Sequence, residues 1–108
     1  MGPNTWVAML AALLTVVAGG AHAASGTEVR VTIDQFKFEP AVVSVAPGDT
    51  VTWVNDDTEE HTVTASDRSY TSSGLDQAET FSHTFTAPGT YRYFCALHPH
   101  MTATVVVR

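Results

Sequence analysis

The sequence is poor in basic residues, in cysteine and in long apolar runs, and each shortage excludes a class of protein. Its 108 residues include five Lys and Arg against eleven Asp and Glu, for a net charge of −6. This negative charge disfavours nucleic acids and anionic membranes as partners, because both attract positively charged proteins. A protein with a basic surface is the better partner. The single cysteine cannot form an internal disulfide. A chain of this length also leaves no room for a two-domain enzyme with a cleft between lobes.

Charged side chains are absent from the first 27 residues of the chain. Residues 6–18 are a mostly apolar run, too short to span about 30 Å of hydrocarbon as a helix. Small residues then stand at Ala21 and Ala23, in the pattern that a signal peptidase cleaves. We therefore interpret residues 1–23 as a signal peptide and residues 24–108 as the mature domain, which would be periplasmic or secreted. An uncleaved anchor is the alternative.

Apolar and polar residues alternate with period two along much of the mature chain, and no segment has a helical period over a useful length. Val29, Val31 and Ile33 show the alternation clearly, and Pro-Gly turns at 47–48 and 88–89 each lead into a further strand. The pattern predicts an all-β domain of six to eight short strands. Their spacing in an antiparallel arrangement favours a Greek-key β-sandwich.

Three metal-binding side chains, Cys95, His98 and Met101, lie at three-residue intervals near the end of the chain. One tight turn could point their thiolate, imidazole and thioether at a single centre. Zinc sites seldom include methionine, whereas a thioether selects copper. The trigonal blue-copper set consists of one thiolate, two imidazoles and a weak axial thioether. A bound metal would also protect an unpaired thiol in an oxidising compartment. The pattern predicts a copper site that needs one more histidine.

His61 is the candidate for that second histidine. His22 lies in the predicted signal peptide and would leave with it. His83 shares the parity of two phenylalanines within a strand, which favours a hydrogen-bonded core or edge histidine. His100 is too close to His98 to reach the same trigonal plane without distorting the turn, so we expect it to point to solvent.

These segments resemble the cupredoxins. The resemblance lies in Pro-Gly-Asp-Thr-Val-Thr-Trp from Pro47, in the region of the upstream histidine, and in Pro-Gly-Thr-Tyr-x-Tyr-x-Cys-x-x-His-Pro-x-Met from Pro88. The two-residue gaps between Cys, His and Met are similar to those of the amicyanins, since plastocyanins and pseudoazurins have a longer gap between His and Met. The resemblance covers most of residues 28–108. It implies four ligands for one copper ion: His61, Cys95, His98 and Met101.

The sequence departs from the family pattern beside these ligands. Glu60 and Thr62 flank the first histidine, where family members often have Pro and Asn. We expect the Thr62 hydroxyl to replace the Asn in holding the site together. Amicyanins have His before the Cys and an apolar residue before the Met, where this chain has Phe94 and His100. We therefore expect the apolar docking patch of the family to be altered.

The resemblance implies a carrier that moves single electrons as copper alternates between Cu(I) and Cu(II), with the exposed edge of His98 as the exit. A site filled by protein ligands leaves no open position for a substrate, which argues against an enzyme. We expect a monomer without stable membrane insertion whose partner is a redox protein, such as a basic cytochrome or a dehydrogenase. An acidic run would steer this partner, or is only a solvated loop. Its members are Asp56, Asp57, Glu59 and Glu60.

Two alternatives use the same fold. A periplasmic copper carrier or buffer would have the same ligands but release the ion to partner proteins. A metal-free interaction sandwich would contain Cys95 only as a small buried hydrophobe.

Overall fold

A computed structural model describes residues 26–108, and the predicted signal peptide lies outside them. The described chain folds into strands that form two four-stranded sheets, in the orders β2-β1-β4-β6 and β3-β8-β7-β5. The strands are β1 (Glu28–Asp34), β2 (Lys37–Glu39), β3 (Val42–Val45), β4 (Thr50–Asn55), β5 (Thr64–Ala65), β6 (Thr80–Thr84), β7 (Gly89–Cys95) and β8 (His98–Val107). This architecture confirms the predicted all-β sandwich. Between residues 26 and 108, no helix has the length and apolar character needed to cross a membrane.

Each sheet contains one parallel pair of strands, although we expected an antiparallel arrangement. β1 lies parallel to β4, with Val31 opposite Trp53, and β3 lies parallel to β8, with Val43 opposite Val105. Between β1 and β4 the chain passes through β3 in the other sheet. Period-two alternation determines which face of a sheet a residue occupies but not the direction of the neighbouring strand. The strand direction therefore could not be predicted from the pattern.

The core lies between the two sheets and extends to the end of β7. Trp53 on β4 is completely buried, and its ring meets that of Tyr93 on β7 edge-on at 5.4 Å between centroids. Such aromatic pairs contribute about 0.5–1.5 kcal/mol beyond the area they bury. Cys95, two residues further along β7, is also completely buried. Packing of the core thus determines where the thiol lies.

The turn at residues 46–49 has the conformation that its Pro-Gly pair predicts. Gly48 has a φ of 96°, and the Asp49 N–H donates to the Ala46 carbonyl at 3.0 Å, as in a type II turn. The Asp49 carboxylate also accepts from the N–H groups of Ala46, at 2.8 Å, and Thr27, at 2.9 Å. These hydrogen bonds hold the pKa of Asp49 below its usual 3.8. Asp49 therefore attaches the segment before β1 to this turn.

The turn between β1 and β2 is strained. Gln35 and Phe36 form a two-residue hairpin loop, flanked by the pair Asp34 and Lys37, and their φ angles are 53° and 58°. A type I′ loop of this kind usually contains Asn and Gly. Residues other than glycine in this region cost on the order of 1–3 kcal/mol each. The turn therefore needs support from elsewhere, which Asp57 provides.

Candidate metal centre

Cys95 and His98 face each other across the hairpin that joins β7 to β8. Cys95 ends β7 and pairs with His98, the first residue of β8, across the two-residue turn Ala96-Leu97. A bulge between Phe94 and Cys95 shifts the register at this point, and bulges commonly redirect a side chain. The Cys95 Sγ lies 3.5 Å from the His98 Nδ1. The local hairpin thus brings the first two donors together.

His61 reaches the same centre from the connection between β4 and β5. Its N–H donates to the Leu75 carbonyl at 3.1 Å, and its carbonyl accepts from the Leu75 N–H at 2.7 Å. This isolated antiparallel bridge fixes the backbone of a residue outside the strands. The His61 side chain is completely buried, and its Nδ1 lies 3.8 Å from the Cys95 Sγ. The structure therefore brings the upstream histidine beside the ligand hairpin.

The donor types at this centre fit a copper ion. The donor atoms of His61, Cys95 and His98 all lie within 4.8 Å of one another. Met101 follows on the same strand as His98, and its side chain is buried. A thiol, two imidazoles and a thioether match the trigonal blue-copper set, including its weak axial ligand. The residues present thus suit the metal that the sequence pattern predicts.

Thr62 connects the segment of His61 to the ligand hairpin through two contacts. Its backbone N–H donates to the Cys95 Sγ at 3.3 Å. Its hydroxyl accepts from the Ala96 N–H at 2.7 Å. Hydrogen bonds to a ligand sulfur and around a site tune the metal and orient its ligands. The hydroxyl thus makes the kind of cross-connection that we expected of it in place of the family's Asn.

Asp57 supports His61 from the side opposite Cys95. The His61 Nε2 lies 2.7 Å from the Asp57 Oδ2. The carboxylate also accepts from the backbone N–H groups of Gln35, at 2.6 Å, and Phe36, at 2.9 Å. Burial raises the pKa of Asp57, but the hydrogen bonds from Phe36, Gln35 and His61 outweigh burial and hold the pKa below 3.8. Asp57 thus links the metal centre to the strained β1–β2 turn.

The inclusion of Asp57 in an exposed acidic run was wrong. Its side chain is only 10% exposed, whereas Asp56, Glu59 and Glu60 are exposed. The physical reason is that the backbone N–H groups of Gln35 and Phe36, from the distant β1–β2 turn, and the ring of His61 converge on this one carboxylate. Charge composition alone could not predict that convergence.

Neither His83 nor His100 belongs to the donor cluster found among residues 26–108. His83 lies on the edge strand β6, stacks on Tyr70 at 4.2 Å between ring centroids and contacts Phe85 edge-on at 4.8 Å. Burial lowers the pKa of His83. His100 is exposed on β8. His83 is an edge histidine, as predicted, but among residues 26–108 its ring has aromatic contacts and not the predicted hydrogen bond. The exposed position of His100 agrees with its prediction.

One aromatic residue at the centre, Phe36, was not predicted from the sequence. Its ring meets the imidazoles of His61 and His98 edge-on, with centroids 5.1 and 5.0 Å away, and the residue is 41% exposed. No motif contains it, because the β1–β2 turn places it there. For Asp57 the sequence contained a weak signal of its place beside the metal centre, because Asp57 precedes the predicted ligand His61 by four residues.

A β-sandwich that gathers a thiol and two imidazoles beside the β7–β8 hairpin, with a buried methionine three residues further along β8, defines a mononuclear protein of the blue-copper class. The chain belongs to the cupredoxin family, since the family model described as "Cupredoxin-like domain" matches residues 7–107. This membership confirms the resemblance drawn from the motifs.

Several relatives are amicyanins. The chain is 36% identical to amicyanin from Paracoccus denitrificans over 92 residues, which cover 81% of this chain and 70% of the relative. It is 35% identical to amicyanin-alpha from Methylorubrum extorquens over 89 residues, covering 78% and 73%. A purple cupredoxin from Nitrosopumilus maritimus matches with a TM-score of 0.71 and 26% identity, covering 74% of this chain and 99% of that structure. The chain is thus a blue-copper electron carrier with one copper ion, and not an enzyme.

Proposed function

We propose that this carrier works outside the cytoplasm and transfers single electrons between redox proteins through copper held by four ligands. The observation that carries the proposal is the approach of two Nδ1 atoms to one thiol sulfur, at 3.8 and 3.5 Å. Copper bound there supplies a one-electron change between Cu(I) and Cu(II). The proposed ligands are His61, Cys95, His98 and Met101.

The residues around the centre keep the donors in one arrangement. Cys95 and His98 are joined by paired strands, and the backbone bridge to Leu75 fixes His61. Thr62 connects these two parts through its hydrogen bond to the hairpin. Because the donors are fixed before electron transfer, little rearrangement is needed when the charge changes. This is the property that a fast carrier requires.

His98 is the proposed exit for the electron. His61 and Cys95 are completely buried and Met101 is 3% exposed, whereas His98 is half-buried beside the 50%-exposed Leu97. A partner that docks against His98 and Leu97 would come nearest to the metal at the His98 ring. The same burial favours an electron carrier over the copper carrier or buffer, because an ion to be released needs accessible ligands.

Copper binding can be tested by adding Cu(II) to the purified metal-free protein. We expect an intense blue absorption band that depends on the Cys95 thiolate, so Cys95→Ala should stay colourless. His100→Ala is the matched control, since it removes an exposed imidazole close to the centre, and it should remain blue. A colourless wild-type protein, or a blue Cys95→Ala, would refute the proposed site.

Carrier and buffer roles can be separated by comparing two rates on the loaded protein. An electron carrier should exchange electrons with small redox partners much faster than it loses Cu(I) to a chelator. A buffer should transfer the ion readily to the chelator or to a copper-binding protein. Rapid loss of the ion would favour the buffer.

The proposed partner is a basic redox protein, such as a cytochrome or a dehydrogenase. An acidic surface, made by residues 56–60 and 76–79, supports this choice. The Gln77 side chain donates to the Asp56 carbonyl at 3.4 Å and so connects its two segments. Immediately before the first segment, the Asn55 N–H donates to the Glu79 carbonyl at 3.0 Å. Neither segment contains Lys or Arg. Its exposed carboxylates are Asp56, Glu59, Glu60, Asp76 and Glu79.

Complementary charge raises the rate of encounter more than the affinity. The rate of electron transfer with a basic cytochrome should therefore fall as ionic strength rises. Replacing Glu59 and Glu60 together with Gln should make that dependence shallower. A rate that does not respond to salt would remove the steering role of this surface.

Export is the remaining part of the proposal, with residues 1–23 as a removable signal. The protein recovered from the periplasm or medium of an expressing bacterium should begin at Ala24 by mass spectrometry. Recovery of the intact chain from the membrane fraction would favour the uncleaved anchor.

A further inference from the structure

We propose that Asp57 is a positioning residue that selects the ring tautomer of His61 and so directs the free electron pair of Nδ1 toward Cys95. The inference rests on the proposed function, because it assigns Asp57 a role toward a copper ligand. It also concerns the metal-free protein, in which the tautomer can be measured directly.

The short contact between Asp57 and His61 determines which ring nitrogen carries the proton. An ionised carboxylate can only accept hydrogen bonds. Since the His61 Nε2 lies 2.7 Å from the Asp57 Oδ2, that nitrogen must be the donor. In the neutral ring the other nitrogen, Nδ1, is then unprotonated. It is the Nδ1 that faces the Cys95 Sγ at 3.8 Å.

The carboxylate is held so that it cannot turn away from the ring. Its Oδ1 accepts from the Gln35 N–H and its Oδ2 from the Phe36 N–H. Its own backbone N–H donates to the Asn55 Oδ1 at 2.9 Å, and the Asn55 amide donates to the Leu75 carbonyl at 2.8 Å. Both oxygens are therefore in use before His61 is counted. Asp57 provides a fixed acceptor for the ring.

The contacts with Gln35 and Phe36 have a second consequence for the centre. Both residues have positive φ angles, 53° and 58°, which are unfavourable for these side chains. Hydrogen bonds from both N–H groups to one carboxylate stabilise that conformation. The β1–β2 turn thereby places the Phe36 ring against the imidazoles of His61 and His98. Asp57 thus orients His61 directly and positions the ring that covers His61 and His98.

A charge-assisted hydrogen bond from a ligating imidazole to a carboxylate also makes the ring a better electron donor to a metal. A better donor stabilises Cu(II) more than Cu(I). Asp57 should therefore lower the reduction potential of the centre and strengthen Cu(II) binding.

The informative substitution is Asp57→Asn, which has nearly the same shape. If the new amide group turns its oxygen toward His61, its NH₂ faces the Gln35 N–H, so that two donors oppose each other. If it turns over, the NH₂ faces the His61 Nε2, and the ring proton moves to Nδ1, where it competes with the metal. In metal-free wild-type protein, ¹⁵N NMR of the His61 ring should show the Nε2–H tautomer. In the variant the Nδ1–H tautomer should gain population.

The copper-loaded proteins give a second readout. Loss of a partner of this kind typically weakens metal binding about 10- to 100-fold, so the Cu(II) dissociation constant of Asp57→Asn should rise by that factor. Its reduction potential should rise as well. Asp34→Asn is the matched control, because it removes one exposed negative charge beside the same turn. That variant should keep the wild-type tautomer and affinity.

Each outcome decides between the hypotheses. Wild-type protein with the Nδ1–H tautomer would overturn the inference without any variant, so a failure of Asp57→Asn to fold would not protect it. Equal shifts in Asp34→Asn and Asp57→Asn would also overturn it, since the effect would then be one of charge alone. If the wild-type protein binds no copper, the proposed function fails, while the tautomer measurement still tests the positioning of His61.

Discussion

The hydroxyl of Thr62 accepts a hydrogen bond from the N–H of Ala96 at 2.7 Å and so joins two segments that are 34 residues apart. Thr62 then donates to Thr64, at 3.0 Å, and Thr64 donates to Thr71, also at 3.0 Å. The direction follows because the Thr71 hydroxyl donates to the Ser72 carbonyl at 3.1 Å. The four hydrogen bonds form one continuous chain that begins at the ligand hairpin.

Thr62→Val should break this chain while preserving the shape of the side chain. It leaves the Ala96 N–H without its acceptor, and the loss of a typical hydrogen bond costs about 0.5–1.5 kcal/mol. Chemical denaturation of the metal-free protein should show that loss. Thr62→Ser retains the hydroxyl and should keep most of the stability. Equal losses in both variants would show that the methyl group matters and the hydrogen bond does not.

Met101→Leu should raise the reduction potential and leave the blue band in place. In a blue-copper centre the weak axial ligand tunes the potential, and loss of a sulfur donor disfavours Cu(II) relative to Cu(I). Leucine fills a similar volume, so the buried position of Met101 should remain packed. Voltammetry and visible spectroscopy measure the two quantities. An unchanged potential would indicate that Met101 does not act on the metal.

Acid should destabilise the metal-free protein partly through Asp49. The pKa of Asp49 in the fold lies below its usual 3.8 because of hydrogen bonds from the Ala46 and Thr27 N–H groups. Its ionised form therefore stabilises the fold fully above pH 3.8, and this contribution is lost as the pH falls through the lower, folded value. Asp49→Asn should be less stable at neutral pH and lose less stability between about pH 5 and pH 2.

Asp56→Asn is the control for this acid series, since it removes an exposed charge and leaves the turn at residues 46–49 intact. Urea denaturation at several pH values would compare the variants. A parallel decline in wild-type protein and Asp49→Asn would contradict the role of Asp49.

Alkali should destabilise the protein through Tyr70. Burial raises the pKa of this tyrosine above its usual 10.0, so the unfolded chain loses the proton first. The contribution of Tyr70 to stability should therefore be constant below pH 10 and fall as the pH rises from there toward the folded value. Tyr70→Phe should weaken this decline. Denaturation midpoints from pH 8 to pH 11, a range set by the usual tyrosine pKa of about 10, would measure it.

At neutral pH, Tyr70→Phe should cost little or increase stability. Within residues 26–108 the Tyr70 hydroxyl has no hydrogen-bond partner, although it is buried. Tyr91→Phe is the contrasting variant, because the Tyr91 hydroxyl donates to the Ala87 carbonyl at 2.7 Å. It should lose about 0.5–1.5 kcal/mol. A larger loss in Tyr70→Phe than in Tyr91→Phe would contradict this interpretation.

Local sequence was enough to predict the ligand hairpin and the class of fold. The three-residue spacing of Cys95, His98 and Met101 lies within one short loop and the strand after it, where chain geometry alone limits the possible arrangements. The Pro-Gly pair at 47–48 likewise specified its turn through φ angles that neighbours do not alter. The assignment of the four residues as ligands stays a prediction until copper binding is measured.

Contacts between distant segments could not be predicted in this way. The parallel pairing of β1 with β4 depends on where the chain crosses between sheets, which alternation does not encode. The position of Phe36 over two imidazoles depends on a strained turn that receives its support from Asp57. Phe36 was visible in the sequence, but Asp57, which supports its turn, is 21 residues away.

The sequence by itself determined an all-β chain with copper-binding side chains at a characteristic spacing, because period-two alternation and a short ligand loop are local properties of the backbone. Only the tertiary structure decided that His61 presents Nδ1 to Cys95, that Asp57 is buried, and that Thr62 connects the two parts of the centre. The reason is that hydrogen bonds and burial depend on atoms brought together by packing, and packing joins residues without regard to their separation along the chain.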